Sequence, residues 1–137
     1  MRMHASAVAF GARGVLIRGA SGTGKSSLAL QLMGFGATLI ADDQTELYIY
    51  ETMLWARAPE TIAGMIEARG IGLLKAEARP APICVVVDLD TVETERFPPR
   101  RSIKLLDIVV PHLQKVESPA WPAALAQYLV AGRSAPE

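Results

Sequence analysis

The sequence predicts a single α/β domain over residues 1–137, with one helix directly after a glycine-rich loop and a second helix near the C-terminus. Three observations favour this class. A G-x-x-x-x-G-K-S motif at residues 19–26 lies between a strand-like apolar segment and a helix-forming one. Two short apolar segments separated by glycines precede the motif, and Asp42 and Asp43 end a further apolar segment after it. Strands that combine with a loop and a helix in this way are typical of the α/β class.

Length and charge limit the kinds of protein that the chain can be. Its 137 residues fit one domain, and half of them are hydrophobic, which is enough to bury a core. Fourteen basic and fourteen acidic residues give a net charge of zero, which argues against nucleic acid or an anionic membrane as the main partner. The single cysteine, Cys84, cannot form an internal disulfide, and no apolar run approaches the ~18 residues of a membrane span. We therefore expect a cytoplasmic protein.

The first third of the chain predicts a hairpin, a helix and a strand. Residues 5–10 and 15–18 are short and β-prone, and the glycines between them suit a turn. This antiparallel start differs from the usual nucleotide-binding βαβ unit, whose first strand is central and parallel. A helix is expected over about residues 26–33, ended by glycines, and residues 38–41 are expected to form a buried strand.

The middle of the chain predicts mostly strands. They are expected at residues 47–50, 53–56, 71–74, 83–87 and 103–110, with a tight turn at Glu51 and Thr52 and loops at residues 75–82 and 96–101. Residues 60–66 are an exception, because the apolar side chains of Ile62, Met65 and Ile66 have helical spacing.

The C-terminal segment predicts the second helix. Residues 121–130 form an amphipathic pattern with Leu125, Leu129 and Val130 on one side. A tail follows from about residue 132, and we expect it to be disordered, as chain termini commonly are.

The glycine-rich motif is typical of a phosphate-binding loop. Its glycines allow backbone N–H groups to converge on an anion, and the start of the following helix adds the positive end of its dipole. Lys25 is expected to reach the terminal phosphates of a nucleotide, and the hydroxyl of Ser26 to bind Mg²⁺. A glycine-rich turn before a helix is the purely structural alternative. The predicted nucleotide-binding residues are Gly19, Ala20, Ser21, Gly22, Thr23, Gly24, Lys25, Ser26 and Ser27.

Two segments could supply the acidic partner of such a loop. Asp88 follows the apolar residues 83–87, which is the usual pattern of a second metal ligand in P-loop enzymes, although any buried strand that ends in Asp matches it. Asp42 and Asp43 end the strand predicted at residues 38–41. Neighbouring side chains of a strand face opposite ways, so one carboxylate can face the reacting phosphoryl group while the other braces the loop or a metal. An Asp-Asp surface turn is the alternative.

Glu67, Arg69 and His4 complete the set of candidate site residues. Glu67 begins a Glu-x-Arg-Gly-x-Gly motif at residues 67–72, and its carboxylate could bind Mg²⁺, which takes carboxylate oxygens and keeps several waters. Arg69 could anchor Glu67 or contact phosphate. A surface ion pair before a glycine turn would explain the same residues. His4 would lie near the γ-phosphate if the first hairpin folds back over the loop, and an exposed histidine near the terminus is the alternative.

Taken together, these motifs resemble the catalytic domain of HPr kinase/phosphorylase. That family pairs a G-x-x-x-x-G-K-S loop with an upstream His, a downstream Ala-Asp-Asp and a Glu-x-Arg-Gly-x-Gly signature, and the chain carries all four in this order within residues 3–74. The resemblance implies a P-loop fold related to phosphoenolpyruvate carboxykinase, with a mixed sheet. It also implies the short, single-domain version of this kinase, because the family's separate N-terminal domain has no counterpart here.

The resemblance further implies an ATP- and Mg²⁺-dependent kinase that phosphorylates a serine of HPr, the phosphocarrier of the sugar phosphotransferase system. It also implies a phosphorolytic reverse reaction. By position, Asp42 matches the residue that takes the serine proton, and Asp43 matches its acidic neighbour. Ser26 and Glu67 match residues that contact Mg²⁺. Lys25 matches the ligand of the β- and γ-phosphates, and His4 matches a residue near the transferred phosphate.

Two parts of the chain depart from the family pattern. Residues 75–82 replace a longer glycine-containing loop, and the C-terminal basic motif and helix that hold HPr from a neighbouring subunit have no clear match. A homo-oligomer is therefore left open. Two other functions also stay open: a nucleotide-sensing module without turnover, which the short segment favours, and a small-molecule P-loop kinase or ATPase that uses Asp88 as a metal ligand.

Overall fold

Strands make up most of the regular secondary structure in the computed structural model, which describes residues 1–133. The strands are β1 (Arg2–Met3), β2 (Ala5–Phe10), β3 (Arg13–Arg18), β4 (Thr38–Ala41), β5 (Thr45–Tyr50), β6 (Met53–Arg57), β7 (Met65–Ala68), β8 (Gly72–Lys75), β9 (Ala81–Val92), β10 (Ser102–Leu105) and β11 (Ile108–Lys115). The helices are α1 (Lys25–Gly34) and α2 (Trp121–Ala131), and a 3-10 turn lies at Glu60–Ile62. Neither described helix has the length and apolar character that crossing a membrane requires.

The long strand β9 lies at the centre of a curled, mixed sheet. It runs parallel to β3 on one edge. On its other edge, its first residues pair antiparallel with β6, and its later residues pair parallel with β11. The sheet continues from β3 through β2 to β4, and from β6 through β5 to β1. The predicted α/β class, with a mixed sheet and two helices, is confirmed.

Side chains on the two faces of this sheet form two separate cores. Val85 and Val87 of β9 face α1 and α2, where they meet Leu125 and Leu129, whereas Val86 faces the core on the opposite side. Each fully buried Val or Leu side chain contributes roughly 1.5–3 kcal/mol relative to an exposed one. Because both faces are covered, the central strands are continuous apolar runs in the sequence.

The hairpin that precedes the glycine-rich loop folds as predicted. β2 and β3 pair over their whole length, from Ala5 opposite Arg18 to Phe10 opposite Arg13. The two helices lie within one residue of the predicted bounds at each end, and β4, β5 and β6 lie where strands are expected. This arrangement brings the start of β2 close to the end of β4, so His4 comes near Asp43.

Two local predictions are wrong. Residues 60–66 do not form a helix, because Gly64 adopts a φ of 74° and the chain then enters β7, which pairs with β8. Residues 103–110 do not form one strand. They contain a hairpin of β10 and β11, with a turn at Leu106 and Asp107, whose φ values are 49° and 64°.

Three smaller predictions need correction or lie outside the structure. Val130 is 61% exposed, so only Leu125 and Leu129 of the predicted apolar side are buried. Asp88 does not end its strand, because β9 continues to Val92. Most of the tail for which we expect disorder, residues 134–137, lies outside the described residues.

Candidate active site

The glycine-rich loop joins β3 directly to α1. Gly22 and Gly24 adopt φ values of 84° and 98°, in the left-handed region that favours glycine. The first hydrogen bond of α1 runs from the Leu28 N–H to the Gly24 carbonyl, at 2.9 Å. The N–H groups of residues 25–27 therefore have no acceptor within the helix. Together with the helix dipole, they make this end of α1 attractive to an anion.

Lys25 is buried at the start of α1 and folds back over the loop. It is 7% exposed, and its Nζ donates hydrogen bonds to the carbonyl oxygens of Gly19 at 2.8 Å and Ala20 at 3.0 Å. An ammonium group has three N–H donors, so one donor remains after these two contacts. Lys25 thus brings a positive charge and one further donor to the loop.

Asp42 is 7% exposed, and three donors surround its carboxylate. Oδ1 accepts hydrogen bonds from the Ser26 hydroxyl at 2.6 Å and the Ser6 hydroxyl at 2.7 Å. Oδ2 accepts one from the Glu67 backbone N–H at 3.0 Å. A carboxylate offers about four acceptor positions, so one remains for another donor. Asp42 therefore ties β2, α1 and β7 together and keeps capacity for a ligand.

Asp43 is far more open than its neighbour. Its side chain is 66% exposed, its φ is 70°, and its Oδ1 lies 2.7 Å from Nε2 of His4. The backbone N–H of Asp43 donates to the Ser6 hydroxyl at 3.3 Å. The two carboxylates thus have different environments: Asp42 is buried among hydroxyl and amide donors, and Asp43 is exposed and paired with an imidazole.

The hairpin of β7 and β8 forms a wall of the site. The hydrogen bond from the Glu67 N–H to Asp42 fixes the hairpin against the end of β4. Gly70, with a φ of 87°, makes the turn between the two strands. The side chains of Glu67 and Arg69 both line the cavity that this hairpin encloses.

One cavity of about 400 Å³ brings most of the predicted site residues together. It is lined by residues of the loop, of α1, of the end of β4 and of the β7–β8 hairpin: His4, Ser21, Gly22, Gly24, Lys25, Ser26, Ser27, Asp42, Asp43, Ile62, Met65, Glu67, Arg69 and Leu73. Three predicted nucleotide-binding residues, Gly19, Ala20 and Thr23, are not among the lining residues. Gly19 and Ala20 instead hold the Lys25 ammonium group through their carbonyls.

The oxygen donors at the base of the cavity fit a magnesium ion. The Ser26 hydroxyl and the Asp42 carboxylate are already in contact, and the Glu67 carboxylate lies on the same cavity. Among residues 1–133, no group of three or more His, Cys, Asp or Glu side chains is arranged to hold a metal by itself. Mg²⁺ usually binds through one or two carboxylates and completes its octahedron with water and substrate phosphates, so this donor set suits it.

Asp88 lies away from this cavity and has other partners. Its Oδ2 is 3.3 Å from an Arg18 nitrogen and 3.8 Å from Nε2 of His112. Burial lowers the pKa of His112, and the charge of Arg18 lowers it further, while Asp88 acts in the opposite direction. Asp88 also accepts a hydrogen bond from the Asp90 N–H at 2.9 Å. Asp88 thus belongs to a charged cluster on β9 and its neighbouring strands, and it does not line the cavity.

Sequence reasoning missed two residues that shape the site. Ser6 is completely buried and contacts both Asp42 and the Asp43 backbone. Asp90 accepts a hydrogen bond from the Ala20 N–H at 2.9 Å and so braces the glycine-rich loop. The position of Ser6 within an otherwise apolar strand could have indicated such a contact, because a buried hydroxyl needs a hydrogen-bond partner. Nothing in the sequence marks Asp90 as a loop contact.

Comparison with known proteins assigns the chain to a family. A sequence profile described as HPr Serine kinase C-terminal domain matches residues 1–79, which is more than half of the chain. The chain belongs to this family. The resemblance inferred from the four motifs is therefore confirmed. In this HPr kinase domain, residues of all four motifs line one cavity.

Curated members of the HPr kinase family are considerably longer than this chain. The HPr kinase/phosphorylase of Polaromonas sp. is 48% identical over 66 residues, which are 47% of this chain and 21% of that protein. The HPr kinase/phosphorylase of Caldanaerobacter subterraneus subsp. tengcongensis is 38% identical over an alignment of 114 residues, which covers 73% of this chain and 37% of that protein. The chain therefore spans between about a fifth and two fifths of the length of these curated relatives.

A solved structure shares the fold over nearly the whole chain. The HPr(Ser) kinase/phosphatase from Coxiella burnetii superposes with a TM-score of 0.78 at 25% sequence identity. The match covers 95% of this chain and 88% of that one. The structural likeness thus extends past residue 79, through β9, the β10–β11 hairpin and α2 of this HPr kinase domain.

Proposed function

We propose that this protein is an ATP- and Mg²⁺-dependent kinase that phosphorylates a serine of the phosphocarrier protein HPr. One observation carries the proposal: Lys25, Ser26, Asp42, Asp43 and Glu67 line a single cavity at the start of α1. A helix start with a lysine suits the phosphates of a nucleotide. Carboxylates at the same place suit a metal and a proton acceptor. The relatives are named for their action on HPr, and we take HPr as the substrate from them.

The chemical step needs a proton acceptor next to the transferred phosphoryl group. The serine hydroxyl oxygen of HPr attacks the γ-phosphorus, the bond from that phosphorus to the β–γ bridging oxygen breaks, and ADP leaves. The serine proton passes to Asp42, whose carboxylate retains one acceptor position. Ser6, Ser26 and the Glu67 N–H hold this carboxylate in place during the transfer.

The remaining cavity residues bind and orient the nucleotide. The N–H groups of residues 25–27 and the spare donor of Lys25 contact phosphate oxygens. Ser26 and Glu67 hold Mg²⁺, which when bound neutralises charge on the β- and γ-phosphates. The His4–Asp43 pair lies at the exposed part of the cavity, where His4 contacts the transferred phosphoryl group and Asp43 fixes the imidazole.

The names of the relatives also motivate the reverse direction. Two are called HPr kinase/phosphorylase, and the Coxiella burnetii protein is called a kinase/phosphatase. In phosphorolysis, an oxygen of inorganic phosphate attacks the phosphorus of phosphoserine, Asp42 takes a proton from the attacking phosphate and passes it to the leaving serine oxygen, and pyrophosphate forms. We propose the same cavity for this reaction, because the attacking phosphate occupies the position that the β-phosphate holds in the kinase direction.

Incubation with γ-labelled ATP, Mg²⁺ and purified HPr tests the proposal. We expect the label on a serine of HPr. Tight ATP binding with no labelled product would instead favour a nucleotide-sensing module without turnover. The remaining alternative, a small-molecule kinase that uses Asp88, is disfavoured because Asp88 is engaged by Arg18 and does not line the cavity.

A further inference from the structure

A second groove lies beside the glycine-rich loop. Its volume is about 330 Å³, within the roughly 300–1,000 Å³ that small-molecule sites occupy. The loop and α1 form one wall, and the segment between β11 and α2 forms the other. Gly24 and Ser27 line both this groove and the cavity described above. The two spaces therefore adjoin at the start of α1.

The chemistry of the groove differs from that of the cavity. Its walls carry apolar side chains, such as Leu28 and Leu89, together with the indole of Trp121. Its two charged residues, Lys115 and Glu117, have opposite signs, so they do not favour a second phosphate group. An apolar space with an aromatic side chain and a few polar groups at its edge suits a neutral, flat heterocycle.

Trp121 is well placed and firmly held. It is half-buried and packs against the core that α1 and α2 share, and its backbone N–H donates to the Ser118 carbonyl at 3.0 Å at the start of α2. Because packing against the core already restricts this side chain, it loses little conformational entropy when a ligand stacks on it. Gln31 of α1 lines the same groove and offers both hydrogen-bond donors and acceptors.

We propose that this groove binds the base and ribose of the nucleotide whose phosphates the glycine-rich loop holds. The proposal rests on the proposed function, because it requires a nucleotide at the loop. The base stacks against Trp121, while Gln31 and Lys115 contact its polar edge and Glu117 accepts from the ribose hydroxyls. The phosphates then pass Ser27 and Gly24 into the cavity that contains Lys25 and Asp42.

Calorimetry with two matched ligands, Mg·ADP and magnesium pyrophosphate, tests the groove. The ligands share the diphosphate and differ by the nucleoside. Stacking of a base on an aromatic side chain corresponds to roughly a 5- to 150-fold change in affinity. We expect Trp121→Ala to raise the Kd for ADP by about that factor and to leave the Kd for pyrophosphate unchanged. Trp121→Phe keeps an aromatic ring and should retain most of the affinity for ADP.

The other tryptophan, Trp55 of β6, provides the control. It lines neither space, so Trp55→Phe should change neither affinity. This variant also leaves Trp121 as the only tryptophan, and ADP should then shield the Trp121 fluorescence from acrylamide whereas pyrophosphate should not. The fluorescence experiment therefore tests whether the nucleoside lies against Trp121 even if Trp121→Ala fails to fold.

The outcomes separate this inference from the proposed function. A wild-type protein that binds pyrophosphate and ADP, with an ADP affinity that Trp121→Ala does not change, contradicts the groove alone. Equal loss of affinity for ADP and pyrophosphate in Trp121→Ala also contradicts it, because that result reports a distorted loop. A wild-type protein that binds neither ligand overturns the proposed function itself.

Discussion

The hydroxyl of Ser6 donates a 2.7 Å hydrogen bond to Oδ1 of Asp42, the same oxygen that accepts from Ser26. Ser6 belongs to the first hairpin, Asp42 ends β4, and Ser26 belongs to α1. Three elements that are distant in the sequence are thus joined through one carboxylate oxygen. Because Ser6 is completely buried, water cannot replace it as a donor without a rearrangement of β2.

Loss of the Ser6 hydroxyl should affect both stability and the rate of transfer. Ser6→Ala removes one donor from a buried carboxylate, and we expect it to lower the free energy of unfolding by ~1–3 kcal/mol. As a positioning residue, Ser6 should also matter for kcat more than for the KM for ATP. Ser6→Thr retains the hydroxyl and should recover part of the rate.

Thr45 provides a matched control for Ser6. It is also completely buried, and its hydroxyl donates to the Ala5 carbonyl at 2.8 Å, but it does not contact the cavity. Thr45→Val should cost stability in urea denaturation and leave kcat near the wild-type value. Equal kcat values for Ser6→Ala and the wild-type protein would show that Ser6 does not position Asp42 for transfer.

Substitution of the two adjacent carboxylates should separate their roles. Asp42→Asn removes the proposed proton acceptor, and general-base catalysis contributes roughly 10²–10⁴-fold to a rate. We expect phosphorylation of HPr to fall by about that factor, while the Kd for ATP, measured by calorimetry, stays largely unchanged. Asp43→Asn keeps an oxygen that can contact His4 and should have a smaller effect. A wild-type rate for Asp42→Asn, or a larger loss for Asp43→Asn, contradicts the assignment of the proton to Asp42.

Glu67 and Asp88 are expected to respond in opposite ways to a test of magnesium dependence. Glu67→Gln should raise the Mg²⁺ concentration that gives half-maximal activity, because a proposed metal ligand loses its charge. Asp88→Asn retains an acceptor for the Asp90 N–H, loses the ion pair with Arg18, and should leave that Mg²⁺ concentration unchanged. Rates measured over a Mg²⁺ series check both variants. If only Asp88→Asn changed the magnesium requirement strongly, Asp88 and not Glu67 would be the metal ligand.

The partly buried His112 predicts a dependence of stability on pH. Burial lowers the pKa of His112 below the ordinary value of 6.5, and Arg18 adds to this effect. As the pH falls below 6.5, the unfolded chain therefore binds a proton more readily than the folded one, and the free energy of unfolding decreases. Well above 6.5 the imidazole is neutral in both states and contributes no slope.

Urea denaturation of His112→Gln across pH 5–8 checks this contribution. The free energy of unfolding of the wild-type protein minus that of the variant should decrease as the pH falls through 6.5 and stay constant well above that value. If this signed difference stays constant over the whole range, or increases in acid, then protonation of His112 does not destabilise the fold.

Local signals in the sequence were sufficient where neighbouring residues decide the structure. The β2–β3 hairpin follows from two apolar runs and the glycines between them, and α1 follows from the loop motif.

Local signals failed where pairing between strands decides the structure. Ile62, Met65 and Ile66 have helical spacing, but Gly64 interrupts the helix and β7 pairs with β8. The turn at Leu106 and Asp107 lacks the Asn-Gly or Asp-Gly pattern that usually marks such hairpins, so residues 103–110 gave no sign of it.

The same distinction holds for the candidate site. The motifs predicted Lys25, Ser26, Asp42 and Glu67, and the structure places their side chains on one cavity. The contacts among them depend on the tertiary fold: the Glu67 backbone meets Asp42 only because β7 packs against the end of β4. The sequence alone could not decide between Asp88 and Asp42, since both follow apolar strands. The ion pair with Arg18 distinguishes Asp88 in the folded chain.

Mass spectrometry of HPr after incubation with this protein and Mg·ATP tests the central proposal most directly. We expect the wild-type protein to add one phosphoryl group to one serine of HPr. No phosphoryl group should be added when Mg²⁺ is chelated. An HPr variant with that serine replaced by alanine should gain no phosphoryl group. Unmodified HPr, from a preparation that binds ATP and is fully folded, would contradict the assignment of serine kinase activity to this cavity.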